Sequence, residues 1–284
     1  MNNQRKITLA FISIFVTGLA TQETALGDVT AQLNRSSPKG PSKVFQYFSP
    51  KLIRVDTIEK DTTQITFVDD TNTTICRREN KPTAKGSCSM IETKKMLGIT
   101  SAFFDGKGLA KVTNYSSNPT GKTGRFAGRN CNYFKRIMTI SGIMGSTSTV
   151  TETLCIDGTL AKDMGGVAER FLNPWLNAML DTKLQQKALS DRKKSEGFVL
   201  YRDIVSQTNL PTDKSSSKTT NPFPMDKAAS KQLKELEAMQ RQMQATASKP
   251  TKSESLVTTK VIVGPIPAHI FMVPPPQYEL LKQK

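Results

Sequence analysis

Short β-branched or aromatic segments, cut apart by turn residues, run through the first half of this chain and restrict its fold more than any other feature. Residues 44–48, 51–56, 64–68, 73–77 and 88–91 each read as a strand, with Pro50, Asp69-Asp70, Pro82 and Gly86 between them. Closely spaced strands with frequent turns predict an antiparallel meander rather than βαβ units. The pattern returns at 111–115, 126–138 and 147–156, and again in the strongly apolar runs 197–205 and 256–263. Residues 93–108 give no clear signal. The expected class is α+β, built on an antiparallel sheet.

Cys76, Cys88, Cys131 and Cys155 lie inside these segments. An even count suits two disulfides in an oxidising compartment. More than one pairing is open to four cysteines, but each of Cys76–Cys88 and Cys131–Cys155 joins neighbouring strand segments and is expected on that ground. A zinc site is disfavoured, because no CxxC occurs and the single histidine, His269, is remote in sequence.

The strongest helical signal spans 160–190. Val167, Phe171, Trp175 and Met179 recur every fourth residue, flanked by Leu172, Leu176 and Leu180. Pro174 interrupts the run, so the expectation is a kinked helix or two short ones. Residues 209–254 form a basic insert rich in Ser, Thr, Lys and Pro, expected as flexible chain around a polar helix at 226–247. The full division reads 1–20 leader, 21–42 flexible lead-in, 43–208 sheet and helix, 209–254 insert, and 255–284 closing strand with a Pro-rich end.

The leader has basic Arg5 and Lys6, an uncharged run from Ile7 to Ala20, and small residues at Gly18 and Ala20. That is the layout of a secretory signal peptide. The run is shorter than the ~18 residues of a membrane-spanning candidate. A second cut is available after residue 27, and a retained anchor is the alternative. Export to a bacterial periplasm is therefore expected. The 40 Lys and Arg outnumber 24 Asp and Glu, for a formal charge of +16. Such a charge favours anionic membranes or acidic envelope partners, or simply keeps the chain soluble. Nucleic acid is not an expected partner for an exported chain.

Three stretches carry a family resemblance. They are Ala127-Gly128-Arg129-Asn130-Cys131-Asn132-Tyr133 with Thr153-Leu154-Cys155, Gly197-Phe198-Val199-Leu200, and Ile266-Pro267-Ala268-His269-Ile270-Phe271-Met272-Val273-Pro274 leading to Tyr278. Together they resemble an uncharacterised exported bacterial domain family, similar in shape to the LolA and LppX lipid-carrier half-barrels. The ending departs from that family's pattern by one extra residue between Pro274 and Tyr278, and the insert is unusually long. The resemblance implies a half-barrel sheet around the helix, with an apolar groove between them. Phe45, Phe67, Phe134, Leu154, Trp175, Met179 and Leu200 are the candidate groove residues, or else plain core.

No catalytic set stands out. A nucleophile–histidine pair would have to use His269, and oxidised cysteines are not nucleophiles. Gly121-Lys122-Thr123 lacks the leading glycine of a P-loop, since Ser116 stands there. The expected function is non-enzymatic binding of a lipid-like or apolar ligand or an envelope partner, with no cofactor and no metal. The alternative is an assembly factor docking through its basic insert. A hydrolase or thiol oxidoreductase is the lesser possibility.

Overall fold

A computed structural model of the protein describes residues 28–49, 51–104, 110–142, 146–161, 178–209 and 250–281. The first half contains β1 (Val29–Ser37), β2 (Gly40–Phe48), β3 (Ile53–Ile58), β4 (Thr62–Val68), β5 (Asn72–Glu79), β6 (Gly86–Glu92) and helix α1 (Thr93–Phe104). The second half contains β7 (Ala110–Phe126), β8 (Arg129–Gly142), β9 (Thr147–Asp157), helix α2 (Thr182–Lys194), β10 (Phe198–Asn209), β11 (Thr251–Val263) and β12 (Tyr278–Leu280). The described strands make one open sheet in the order β12-β6-β5-β4-β3-β2-β1-β11-β10-β9-β8-β7. Every neighbouring pair is antiparallel except β12–β6.

The strands form where the sequence alternates. In β1, Val29, Ala31 and Leu33 are buried while the residues between them are not. The inner-facing positions continue across β2, β3 and β4 through Val44, Phe48, Ile53, Val55 and Val68, which gather in a single core cluster with Met96 of α1. These residues define the inner face of the sheet. In β3 and β4 the outward-facing Asp56, Ile65 and Phe67 are buried as well. Two-residue turns set the register. At the β7–β8 turn both Ala127 (φ 51°) and Gly128 (φ 76°) take positive φ, the conformation that matches the twist of a tight hairpin.

The sheet is curved, and α1 shows why. This helix touches β5 and β6 near one end of the sheet and β7 at the other. Ten strand gaps separate β6 from β7, about 48 Å in a flat sheet at ~4.8 Å per gap. A helix of 12 residues is only about 18 Å long. The sheet must curl for one helix to reach both ends. Met96 and Leu97 meet the main core, and Phe104, at the far end of α1, joins a second cluster with Val112 and Tyr115 of β7.

Several expectations change. Of the lead-in expected as flexible (21–42), residues 29–37 are β1 and 40–42 open β2. Ser, Pro and Gly there suggested a loop, but the alternating Val29, Ala31 and Leu33 pair with β11 and β2 on both sides. The unclear stretch 93–108 contains α1. Of the helix expected at 160–190, residues 162–177 lie outside the described residues and 178–179 are helical, with a break at 180–181 before a second helix. Leu160 sits in a 3₁₀ turn (Gly158–Ala161), and α2 starts at Thr182 and runs to Lys194. Asp181 explains the start, because its Oδ1 accepts from the Leu184 amide at 3.0 Å as an N-terminal cap. The stripe Val167, Phe171, Leu172, Trp175 and Leu176, with Pro174, lies outside the described residues. So do the leader and most of the insert. The strand expected from 255 begins earlier, at Thr251.

The disulfides Cys76–Cys88 and Cys131–Cys155 are formed. Each joins adjacent strands: Cys76 faces Cys88 across β5–β6, and Cys131 lies on β8 beside Cys155 on β9. Among the described residues no helix is long and apolar enough to cross a membrane.

Candidate functional site

The most unusual chemistry of the sheet is a buried row of alternating charges across five neighbouring strands. Arg136 of β8, Glu152 of β9, Arg202 of β10, Glu254 of β11 and Arg35 of β1 lie side by side on the inner face. Arg136 Nη1 donates to Glu152 Oε2 at 3.0 Å. Arg202 donates to Glu152 Oε1 from Nη2 at 2.5 Å and from Nε at 3.1 Å. Arg202 Nη1 lies 3.9 Å from Glu254 Oε1. Arg35 donates to Glu254 Oε2 from Nη2 at 2.6 Å and from Nε at 2.8 Å.

Burial decides what this row means. The side chain of Arg202 is 1% exposed and that of Glu152 5%, whereas Arg35, at the end of the row, is 24% exposed. Charges so deep need partners: Glu152 accepts hydrogen bonds from two guanidiniums, and Glu254 accepts from Arg35 with the Arg202 guanidinium a further 3.9 Å away. Arg136 stands directly opposite Glu152 in the β8–β9 register. The row therefore locks the order and register of β8 to β1 through charge matching. It holds no nucleophile, and its carboxylates are already engaged.

Two residues from Arg136 on the same face is Met138, which belongs to the second cluster. Phe104, Val112, Tyr115, Met138, Met179 and Leu180 pack there under α2, which contributes Ala188 and Leu184. At the other end of α2, Ser195 Oγ accepts from Ser117 Oγ of β7 at 3.3 Å. Helix α2 thus covers the inner face of β7 and β8. Further along the inner face, Gln46 Oε1 is buried without a hydrogen-bond partner.

The outer face of β2 to β6 carries a different construction. Arg54 grips Asp56 with two bonds, Nε to Oδ1 at 2.6 Å and Nη2 to Oδ2 at 2.7 Å, and its Nη1 donates to the carbonyl of Ile270. Its guanidinium also lies over the rings of Tyr47 (5.5 Å) and Phe67 (5.4 Å). Burial raises the Asp56 carboxyl above its ordinary value, and Arg54 only partly offsets this. The C-terminal segment lies across this face as a strap. It is pinned at its start by Asp28, which accepts from the amides of Gly264 and Ile266 at 2.9 and 2.8 Å. At its far end Arg78 donates to Gln277 and lies over the Tyr278 ring, and that ring rests where a Cβ of Gly86 would be.

The expected groove residues do not line one surface. Phe134 and Leu154 pack together on the inner face with Ile156 and Val199. Met179 belongs to the cluster under α2. Leu200 is the extra residue of a bulge, because Val199 pairs with Ile156 and Tyr201 with Cys155, and it packs in the main core. Phe67 lies on the outer face with Ile65 and the Cys76–Cys88 disulfide. Phe45, between inner-facing Val44 and Gln46, also points outward and is half-buried. Trp175 lies outside the described residues. Sequence reasoning missed the charge row entirely. Its members stand on five strands, and no spacing within one segment reveals them.

His269 is exposed in a 3₁₀ turn (Ala268–Phe271) of the C-terminal strap. Among the described residues no three His, Cys, Asp or Glu side chains are grouped to hold a metal. No family model matches the chain, and no curated protein matches it. A solved chain described as PNGF-II, in a C2 space group, is similar with a TM-score of 0.32 and 8% identity. The match covers 90% of this chain and 31% of that one, so this chain spans about a third of that chain's length. So slight a likeness carries no argument about fold or function.

Proposed function

We propose that this is a non-enzymatic exported envelope protein that binds a lipid-like ligand between its curled sheet and its helices, in the manner of the half-barrel carriers. The observation that carries this reading is the apolar cluster under α2. It is separate from the main core, and two of its members, Met138 and Met179, are flexible gap-fillers that re-pack around a guest. An acyl chain matches this apolar floor in chemistry.

The test is native mass spectrometry of gently purified protein, followed by titration with a fluorescent acyl probe. Met138→Trp fills the floor and is expected to weaken probe binding about tenfold, the factor that ~1.4 kcal/mol produces. Phe67→Leu, on the outer face, is the control and should leave the affinity unchanged. Protein that carries no lipid and takes up no probe overturns the reading.

One observation favours a second reading, in which the basic insert docks to an acidic envelope partner. Ser206 pairs with Thr251, so the insert leaves β10 and returns to its immediate neighbour β11. Replacing residues 211–249 with a short turn should therefore preserve the thermal transition. Loss of retention on a polyanion matrix at physiological salt supports the docking role, and unchanged retention rules it out.

A further inference from the structure

We infer that the outer face beneath the C-terminal strap lies against an anionic lipid bilayer. The inference rests on the export reading above, not on the interior ligand. Among the described residues eight large apolar side chains are exposed, and six of them fall between Ile262 and Leu281. Three of the six, Ile262, Met272 and Val273, can be placed near one another on the outer face, whereas Val263 alternates to the inner face and Leu280 lies at the β12 edge. Ile262 of β11 lies in one cross-strand row with Thr30, Tyr47 and Arg54, and Arg54 holds the Ile270 carbonyl. Three strand gaps, about 14 Å, therefore separate Ile262 from the part of the strap that presents Met272 and Val273. Their exposures are 48%, 53% and 37%.

Two further observations select lipid as the occupant. The first is charge. Lys260 and Lys43 are exposed on the same outer face, being paired in register with Gln32 and Asn34, and Lys51 is exposed in the turn that joins β2 to β3. None of the three makes an ion pair among the described residues. The carboxylate set among them, Asp56, is buried and neutralised by Arg54. Exposed apolar side chains ringed by unpaired lysines match an anionic interface, where each lysine near the surface adds to binding.

The second is where the chain enters. The uncharged run Ile7 to Ala20 ends eight residues before Asp28, and eight extended residues span at most about 28 Å. Asp28 is bonded to Gly264 and Ile266, and its neighbour Val29 pairs with Val263. Until the leader is cut, while that run sits in the membrane, the start of the strap is held within this distance of the bilayer.

The test is vesicle flotation of the full chain recovered from an exported fraction, its mass measured to establish the form in use. Vesicles of phosphatidylglycerol with phosphatidylethanolamine are compared with phosphatidylcholine alone. The protein should float with the anionic vesicles and stay behind with the neutral ones. The triple variant Ile262→Ser, Met272→Ser, Val273→Ser should lower the bound fraction at least fivefold. Ile99→Ser, an exposed apolar side chain on α1, should not change it. Replacing Lys43, Lys51 and Lys260 by Gln should remove the preference for anionic lipid. Hydrogen exchange, which needs no substitution, should show vesicle-dependent protection at 260–273. Failure of the unmodified protein to float, equal binding by the triple variant, or protection elsewhere overturns the inference. Interior ligand binding is read separately by native mass spectrometry, and the triple variant should retain it.

Discussion

Glu152→Gln is the sharpest test of the buried charge row. Glu152 receives three hydrogen bonds from Arg136 and Arg202, whose side chains are 4% and 1% exposed. The amide keeps the shape but removes the charge, and one of its ends now presents N–H groups to a guanidinium. Breaking a buried ion pair from one side costs about 3–5 kcal/mol. For a domain of this size that corresponds to a fall of roughly 6–20 °C in Tm, at ~2–4 °C per kcal/mol. The assay is thermal and urea unfolding followed by circular dichroism at neutral pH with the disulfides intact. A companion variant replaces Arg136, Glu152 and Arg202 by Met, Leu and Met, leaving Glu254 with Arg35. Because well-packed apolar side chains often replace buried ion pairs without loss, this triple variant should be more stable than Glu152→Gln alone. A drop below ~2 °C for Glu152→Gln, under 1 kcal/mol on the same scale, refutes the claim that charge pairing in the row holds these strands together.

Asp56 gives a pH prediction. Its folded-state value is raised chiefly by burial, so the folded protein holds a proton that the unfolded chain releases more readily. The Asp56 contribution is present at acid pH and is lost as pH rises through the folded value. The Tm difference between the unmodified protein and Asp56→Asn should therefore shrink as pH rises from about 4, and a growing difference counts against the assignment. Gly86→Ala should push Tyr278 off its seat, and limited proteolysis should then cut the strap after 264 faster than in the parent, with unchanged kinetics refuting the contact. Replacing Cys76 and Cys88, or Cys131 and Cys155, by Ala should cost about 3 kcal/mol per pair in urea unfolding, the loop-entropy value for separations of 12 and 24 residues. A loss under ~1 kcal/mol for either pair indicates that the unfolded chain is already compact there.

The local features of this fold were legible in the sequence, and the long-range ones were not. Alternation and turn residues marked the strands from Val44 to Ile91, and the cysteines in neighbouring segments pointed to both disulfides. Val29, Ala31 and Leu33 alternate just as clearly, but Ser, Pro and Gly nearby outweighed them, and the pairing of β1 with β11 bridges almost the whole chain. The apolar residues proposed for a groove scattered because neighbours such as Phe67 and Val68 point to opposite faces of a strand. Type alone does not reveal which face is hollow. The same holds for the charge row. Arg35 and Glu254 become partners only when the first and last long strands meet.

That meeting shapes how the molecule is assembled. Strands β2 to β6 are a local meander, and β7 to β10 are another, so each half can zip along its own stretch of chain. The joint between them is β1 against β11, with Val29 beside Val263. This seam closes only after residue 263 has emerged, and distant partners of this kind pair slowly. Until then the polypeptide is two unfastened ribbons, each with an open strand edge exposed to the wrong neighbours.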